Sequence, residues 1–456
     1  MIPMNAMDAG WLLLDGPSSP LHVSVLLEFT KAKERRQVSI YDEWRRRYMR
    51  HEPSPPFNYV AQMPWSRGYW PHWAQASSFQ FSEHIRPVAL VSPHDQTADL
   101  EALVSWLHGL PLSRSRPLWE VYLIEGLSDH RYAVLMKAHH SLIDGVGGMH
   151  HLYAALSADP KATAKVPLWA HECPTVTHRP RPTVAAPGAR WSSRTWTRLQ
   201  GLLRDGLSGE VPLPFSASRS CLNQDINASR QLLSCDLDLA TMQHLAKAHG
   251  GHLNDSLLLY VSEAVRAHVQ HLKLEAAPLK AIMPFSTHCA GELSSGSHLG
   301  FAVAELHNDV SRVDQRFKRI IASTSRTKRL LGALSPQEQA WLTAGLGGAF
   351  LAGQKVPFLR HHAPPFGNLV VSNVKGPDQT LYLNGDQLDR VVPLSVLLDG
   401  QALNATGLSY RGRLHLSFVS CPSVLGDTAH VGKAVRRFEQ GLLKRYGGGA
   451  ANISLA

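Results

Sequence analysis

The chain has 456 residues, of which 44% are hydrophobic, so it is long enough to form two or more domains with large cores. No apolar run approaches the roughly eighteen residues that span a bilayer, which excludes a transmembrane protein and leads us to expect a cytoplasmic location. The formal net charge of +10 is compatible with binding to nucleic acid, anionic lipid or a phosphate-bearing small molecule, and charge alone does not distinguish these partners.

Several protein classes are excluded by missing motifs. The five cysteines are odd in number and have no CxxC spacing, which argues against a disulfide framework and a zinc knuckle. The chain contains no zinc-finger or RNA-recognition motif, so we expect no nucleic-acid partner. It also lacks a GxxxxGK[ST] phosphate loop and a GxSxG nucleophile elbow, so a covalent serine mechanism has no support.

The first predicted folding unit, residues 1–158, ends in a strand followed by a helix. Hydrophobic alternation over Arg131 to Ala138 predicts the strand, and Met149, Leu152, Tyr153 and Leu156 have helical spacing. His139, His140, Asp144 and Gly145 fall between the two elements. Because adjacent strand residues point to opposite faces, the two histidines are expected to have different roles.

Residues 159–220 are rich in proline and arginine, which predicts a crossover linker between two units. Within it, a helical projection of residues 190–207 places Trp191 and Trp196 on one face and Arg194 and Arg198 on the other. Such a helix can lie in a lipid interface, with its cations near anionic headgroups. An ordinary surface helix packed on its own protein explains the same pattern equally well.

The second predicted unit covers residues 221–446. It contains a helix from about Asp255 to His271, and a hairpin in which residues 408–410 and 413–419 flank Arg411-Gly412. Asn254 precedes the helix and is a candidate N-cap, while Ser372 and Asn373 follow a strand-like run and suit a turn. The last residues, 447–456, are small and polar and are predicted to form a flexible tail.

Motifs spread along the whole chain resemble those of one enzyme family. The segment HHSLIDG (His139 to Gly145) matches the HHxxxDG motif of the CoA-dependent acyltransferase superfamily. Met7 to Val23, RPLWE around Pro117, Leu118 and Trp119, LNDSLL at Leu253 to Leu258, and VSNVKGP at Val371 to Pro377 are similar to motifs of the bacterial wax ester synthase/acyl-CoA:diacylglycerol acyltransferase family. Lys375 departs from that family's SNVPGP pattern, which leaves the backbone shape of that loop in doubt.

The resemblance implies an α/β fold with two chloramphenicol-acetyltransferase-like subdomains, which have mixed sheets, flanking helices and an active-site channel between them. Ester formation needs a base for an alcohol hydroxyl, and a histidine of ordinary pKa near 6.5 is mostly neutral at pH 7 and able to serve. We expect His140 to be that general base and His139 to support the structure. Asp144 either orients the imidazole or keeps the fold, and the resemblance favours the second; Gly145 is expected to permit a special turn or close packing.

The other motif residues are assigned alternative or structural roles. Asn254, Ser372 and Asn373 are candidate donors to the oxyanion, alongside their N-cap and turn interpretations. Pro117, Leu118, Trp119 and Asp255 are expected to be structural. A metal site at His140 and Asp144 lacks a third ligand at recognisable spacing, so we expect neither a metal nor a cofactor.

The resemblance therefore predicts transfer of a long-chain acyl group from acyl-CoA to diacylglycerol, forming triacylglycerol. A long-chain fatty alcohol as acceptor, giving wax ester, is the alternative, and a non-catalytic lipid-binding protein on the same scaffold is a third possibility. The expected partners are acyl-CoA, the lipid acceptor, and the inner face of a membrane or a lipid inclusion, where the protein would associate peripherally. The oligomeric state, the acyl chain length and the acceptor preference do not follow from the sequence.

Overall fold

The computed structural model describes residues 2–63, 70–91, 96–143, 145–164, 166–171, 212–286 and 299–446. Strands and helices alternate irregularly along the chain. The described strands are β1 (Ile2–Pro3), β2 (His22–Thr30), β3 (Tyr59–Gln62), β4 (His72–Gln75), β5 (Ile85–Ala89), β6 (Trp119–Glu125), β7 (Arg131–His139), β8 (Gln231–Asp238), β9 (Lys280–Ser286), β10 (Leu299–Glu305), β11 (Leu369–Val374), β12 (Tyr382–Leu383), β13 (Asp386–Leu394), β14 (Leu403–Tyr410) and β15 (Arg413–Ser420).

The helices occur between and beside these strands, and a 3-10 turn covers Lys33–Arg35. The described helices are α1 (Ala6–Leu14), α2 (Ile40–Tyr48), α3 (Phe81–His84), α4 (Gln96–Gly109), α5 (Gly145–Ala154), α6 (Leu239–Ala248), α7 (Leu253–His271), α8 (Val313–Gly332), α9 (Pro336–Lys355), α10 (Pro357–His362), α11 (Pro422–Leu425) and α12 (Ala429–Tyr446). Among the described helices none is long and apolar enough to cross a bilayer.

Two six-stranded sheets and one small sheet organise the chain. The first large sheet has the order β12-β13-β2-β7-β6-β5, the second has the order β10-β9-β11-β14-β15-β8, and the small one has the order β1-β4-β3. Both large sheets are mixed, because β5 runs parallel to β6 and β11 runs parallel to β9 and β14, while the other pairs are antiparallel. The expected α/β class with mixed sheets and flanking helices is therefore confirmed.

The first sheet takes an edge from the second half of the chain, because β13 pairs with β2 from Gln387 opposite Thr30 to Leu394 opposite Ser24. A buried carboxylate fastens this edge. Asp386 accepts hydrogen bonds from the Arg35 guanidinium at 2.9 and 3.0 Å and from the Tyr132 hydroxyl at 3.1 Å. The first sheet thus contains strands from both halves of the chain, whereas the second contains strands from the second half alone, and the subdomain bounds 1–158 and 221–446 stay a prediction.

A second ionic contact joins the two sheets directly. Arg390 on β13 donates to Glu28 of β2 at 2.5 Å and to Asp236 of β8 at 2.8 Å. Burial disfavours the charged carboxylate of Asp236, but hydrogen bonds from His415 and the charge of Arg390 outweigh it and hold its pKa below the ordinary value. This contact fixes the position of one large sheet relative to the other.

Local predictions in the second half were largely accurate. The hairpin is confirmed: β14 and β15 flank Arg411 and Gly412, whose φ angles of 49° and 71° fit a type I′ turn. Helix α7 begins at Leu253, two residues before its predicted start. The turn interpretation of Ser372 and Asn373 is wrong, because both lie within β11 and pair with Thr406 and Gly407 of β14.

Candidate active site

His140 is the first residue after β7, and it stands where two cavities meet. The chain turns away from the sheet at this point because the Leu142 N–H donates to the His139 carbonyl at 2.9 Å. The His140 N–H donates to the Leu21 carbonyl at 3.0 Å, which anchors the backbone. The side chain is only 8% exposed. It nevertheless lines both a cavity of about 380 Å³ and a second of about 280 Å³.

The first cavity collects candidate residues from both halves of the chain. Its wall includes His140 and Gly145 from the first half, and Asn254, Ser372 and Asn373 from the second. The second cavity is lined by α1, α9 and β11, and it shares His140, Pro284 and Ser395 with the first. These shared residues therefore lie between the two cavities. A ligand can approach them from either cavity.

The imidazole of His140 is held by an aromatic neighbour. The indole ring of Trp11, on α1, stacks on it with ring centroids 4.4 Å apart and an angle of 18° between the planes. Trp11 also lines the second cavity, and its indole nitrogen is buried without a hydrogen-bond partner among the described residues. Stacking of this kind restricts the rotation of the imidazole.

His139 has its own set of contacts, with Ser141 and Asp15. Its Nδ1 accepts the Ser141 N–H at 3.1 Å and lies 2.6 Å from the Ser141 hydroxyl. Its Nε2 lies 3.8 Å from Asp15 Oδ1, a carboxylate that also accepts from Arg114 at 2.8 Å. Burial raises the pKa of Asp15, but His139, Arg114 and the Leu21 N–H together lower it to about 2. These contacts hold the His139 ring, and its supporting role stays a prediction.

Asn254 and Asn373 are joined across the first cavity. The Asn373 Nδ2 donates to the Asn254 Oδ1 at 2.7 Å, which links α7 to β11. The Asn373 Oδ1 is buried without a partner among the described residues. Because the Asn373 amide nitrogen is already engaged, the Asn254 amide is the better placed of the two to donate to an oxyanion.

The helix cap near Asn254 differs from the N-cap interpretation, which is wrong. His252 is the N-cap of α7, and Asn254 is the second helical residue. Asp255 is buried, and its side chain caps the helix because Oδ2 accepts the His252 N–H at 2.7 Å. Its Oδ1 accepts the Thr324 hydroxyl at 2.7 Å. Asp255 therefore fixes the start of α7 against α8.

The Pro117-Leu118-Trp119 segment supports the histidine pair from the neighbouring strand. The Leu118 carbonyl accepts the His139 N–H at 2.9 Å, so the residue that precedes β6 fixes the end of β7. Trp119 is buried, its indole nitrogen donates to the Phe57 carbonyl at 2.7 Å, and its ring forms part of the first cavity. Trp119 thus limits the first cavity, and the structural role of the whole segment stays a prediction.

Glycine positions near the site differ from expectation. Gly145 begins α5 without a left-handed backbone, and a Cβ there would make only ordinary contact with Val374 at 3.8 Å, so its special-turn role is wrong. Gly376, next to Lys375, is the position that requires glycine, since a Cβ there would lie 2.1 Å from the Ser409 carbonyl oxygen. The loop therefore packs closely against Ser409, although Lys375 departs from the family pattern.

Some predicted residues lie outside the described part of the chain. These are Asp144 and the candidate membrane contacts Trp191, Arg194, Trp196 and Arg198. Within the described ranges, no three His, Cys, Asp or Glu side chains are grouped as a metal site would require. The roles of Asp144 and of residues 190–207 stay predictions.

Sequence reasoning missed three contributors to the site. Trp11 belongs to the quoted N-terminal motif, which could have marked it, but no periodicity places it beside His140. Trp169 lies in the predicted linker, yet it is buried, stacks on Trp119 with centroids 5.7 Å apart and lines the first cavity. Gly347 of α9 lines the second cavity, and glycine content alone does not reveal a cavity wall.

Two domain descriptions match most of the chain. Residues 4–257 match the wax ester synthase/diacylglycerol acyltransferase catalytic domain, and residues 295–440 match the WS/DGAT C-terminal domain. A probable diacylglycerol O-acyltransferase of Mycobacterium tuberculosis is 31% identical, with 96% of this chain and 98% of the relative aligned. A Mycobacterium bovis relative, also named as a diacylglycerol O-acyltransferase, is 32% identical over 92% of this chain and 86% of its own length.

Solved structures agree with these matches. The wax ester synthase/diacylglycerol acyltransferase from Marinobacter aquaeolei superimposes with a TM-score of 0.76 and 26% identity, covering 98% of this chain and all of that one. The first condensation domain of the calcium-dependent antibiotic synthetase has the same fold, with a TM-score of 0.58, 14% identity and coverage of 99% of this chain and 97% of that one. The fold and the paired cavities define a CoA-dependent-acyltransferase-like enzyme. The chain belongs to the wax ester synthase/diacylglycerol acyltransferase family, and it is an acyltransferase.

Proposed function

We propose that this enzyme transfers a long-chain acyl group from acyl-CoA to the hydroxyl of diacylglycerol, forming triacylglycerol for lipid storage. The observation that carries the proposal is the position of His140, which borders two cavities at their junction. One substrate can approach from each side, so the hydroxyl and the thioester meet at the imidazole. Holding both reactants in this orientation lowers the activation barrier of the transfer. For well-oriented groups the effect is about 7 kcal/mol at its low end.

The reaction follows from the chemistry of the groups. His140 removes the proton of the acceptor hydroxyl, and the oxygen attacks the thioester carbonyl carbon to give a tetrahedral oxyanion. The intermediate collapses with cleavage of the carbon–sulfur bond, and the imidazolium returns its proton to the CoA thiolate. No acyl-enzyme and no bound cofactor take part in this scheme, because acyl-CoA is itself a substrate.

The remaining candidate residues have supporting roles in this scheme. The Asn254 amide donates to the oxyanion, and such a donor contributes about 3 kcal/mol in other acyl-transfer sites. The unpartnered Asn373 Oδ1 accepts a hydrogen bond from a bound substrate, and Ser372 contacts substrate from the same wall. His139 and Asp15 hold the end of β7, and for Asp144 the role proposed is the fold-keeping one that the family resemblance implies.

A fatty alcohol is the second candidate acceptor, and the similarity to the Marinobacter wax ester synthase/diacylglycerol acyltransferase favours it. Labelled palmitoyl-CoA offered with diacylglycerol and hexadecanol together, followed by thin-layer analysis, distinguishes the two. Labelled triacylglycerol as the main product is expected, and labelled wax ester as the main product would favour the second candidate. Labelled free acid alone would contradict both, since a hydrolase needs no alcohol.

We also propose that the enzyme works at the surface of a membrane or lipid inclusion, because its acceptor resides there. The amphipathic segment 190–207 remains one candidate contact.

A further inference from the structure

The outer face of α9 is unusual for a surface helix. The helix begins with a capping box, in which the Ser335 N–H donates to Glu338 at 2.8 Å and the Ser335 hydroxyl accepts the Glu338 N–H at 3.3 Å. Between Glu338 and Lys355, residues 339–354 include no charged side chain. Solvent-facing helix surfaces normally carry charged side chains, so this face is suited to something other than water.

The exposed positions form one continuous apolar stripe. Gly345, Ala349, Ala352 and Val356 are exposed and have the spacing of one helical face. The stripe continues onto α10, where Phe358 is 67% exposed and Leu359 is 41% exposed. We call these six residues the α9–α10 face.

The opposite side of the same helix forms a wall of the second cavity. Thr343, Gly347, Phe350 and Leu351 line that cavity, which reaches His140. A smaller cleft of about 50 Å³ shares Phe350, Phe366 and Gln401 with it and extends to Leu359 on α10. The cleft and the second cavity therefore adjoin each other between Leu359 of the α9–α10 face and the imidazole.

The charges beside the face favour an anionic lipid surface over a second copy of the chain. Lys355 is exposed at the end of α9, and Arg219, also exposed, donates to the backbone carbonyls of Arg360 and Ala363 and not to a carboxylate. Arg360 is compensated by Asp399 at 2.8 Å and Asp225 at 3.3 Å. Cations beside an apolar face complement anionic headgroups, whereas two such faces would bring like charges together.

We infer that the α9–α10 face docks on an anionic lipid surface, and that the lipid acceptor passes from there through the second cavity to His140. This inference rests on the proposed function and adds to it a docking surface and an entry route. It also assigns the acceptor to the second cavity and leaves the first cavity for the acyl-CoA thioester.

The test uses the full chain and a double variant, Ala349→Glu with Phe358→Glu. Neither residue lines a cavity, and both are exposed, so the substitutions leave the core intact. Trp106→Glu is the matched control, because Trp106 is 61% exposed on α4, away from the face. Flotation is measured with phosphatidylcholine vesicles and with vesicles that also contain phosphatidylglycerol.

The wild type and Trp106→Glu are expected to float with the vesicles containing phosphatidylglycerol, and the double variant to lose at least about tenfold in binding. Acyl transfer to diacylglycerol in those vesicles falls in parallel, while transfer to a water-soluble short-chain alcohol is unchanged. Equal vesicle binding by wild type and double variant, or no binding by the wild type, would overturn the inference. So would a wild-type dimer that the double variant converts to a monomer in light scattering.

Failure of the proposed function gives a different result. In that case the wild type transfers acyl groups to no alcohol at all, whatever its vesicle binding. Loss of transfer to diacylglycerol alone, with transfer to the soluble alcohol retained, therefore reports on docking and not on chemistry.

Discussion

Trp11 and His140 stack face to face, with ring centroids 4.4 Å apart, although they lie on α1 and at the end of β7. His140 lines both cavities, and Trp11 forms part of the wall of the second. Trp11 is thus a positioning residue, which acts on the chemistry through the orientation of His140.

Replacing Trp11 with Ala is expected to lower kcat by up to about tenfold, because an aromatic pair contributes about 0.5–1.5 kcal/mol. The KM for acyl-CoA should change little, since the thioester is assigned to the other cavity. Trp11→Phe should restore most of the lost kcat, because a phenyl ring can still stack. A purely structural role for Trp11 would instead lower the folded fraction and leave the kcat of the remaining folded enzyme unchanged.

Replacing Gly347 with Phe is expected to shorten the preferred acceptor. No atom of the described residues lies within 4 Å of a Cβ built at Gly347, so the side chain enters the second cavity without displacing the protein. The ratio of rates with hexadecanol and hexanol should fall by about tenfold or more, since each methylene in a close-fitting pocket is worth about 1–3 kcal/mol.

Gly441→Phe is the control for this change. Gly441 is exposed on α12, has equally open space around its Cβ, lines no described cavity and is not part of the α9–α10 face. Its variant should keep the wild-type ratio, and an equal change in both variants would argue against the second cavity as the acceptor site.

Asp386 is expected to be essential for stability. Asp386→Ala leaves Arg35 and Tyr132 without their shared partner and should lower the free energy of unfolding by about 3–5 kcal/mol in urea titrations. Arg445→Ala breaks an ion pair with Asp314 whose side chains are 60% and 53% exposed, and it should cost at most about 1 kcal/mol. Similar losses in the two variants would show that Asp386 does not fasten β13.

Asp15 should give stability a specific dependence on pH. Its folded-state pKa is lowered to about 2, so its contribution is fully present above its ordinary pKa and is lost as pH falls through about 2. Asp15→Asn should therefore cost on the order of 2 kcal/mol at neutral pH, with the difference from wild type shrinking below about pH 4.

Urea titrations at several pH values measure this difference. Asp129→Asn, at an exposed turn position, is the control and should match wild type throughout. A difference for Asp15→Asn that stays constant down to the lowest pH would contradict the electrostatic explanation.

The sequence predicted the parts of the fold that depend on local pattern. The end of β7, the start of α5 and the Arg411-Gly412 hairpin follow from periodicity and turn chemistry, and HHxxxDG marks His140. The interpretations of Asn254 as N-cap and of Ser372 and Asn373 as turn residues failed, because polar residues near an element boundary fit several local roles. Only the tertiary contacts, such as that between Asp255 and Thr324, show which of these roles a residue has.

Contacts between distant segments could not be predicted from the sequence. The pairing of β13 with β2 joins residues more than 350 positions apart, as in the contact between Thr30 and Asp389. Likewise, Trp11 and Gly347 acquire their roles only because α1 and α9 pack around the same cavity. Neither arrangement leaves a periodic signal along the chain.

The most direct test of the central claim is the rate of CoA release from palmitoyl-CoA with diacylglycerol for His140→Ala. Loss of a general base predicts a fall in kcat of about 10²- to 10⁴-fold, with an unchanged circular dichroism spectrum and near-normal KM values. The exposed His244→Ala serves as the control and should retain the wild-type rate. Acyl transfer by folded His140→Ala at the wild-type rate would contradict the account.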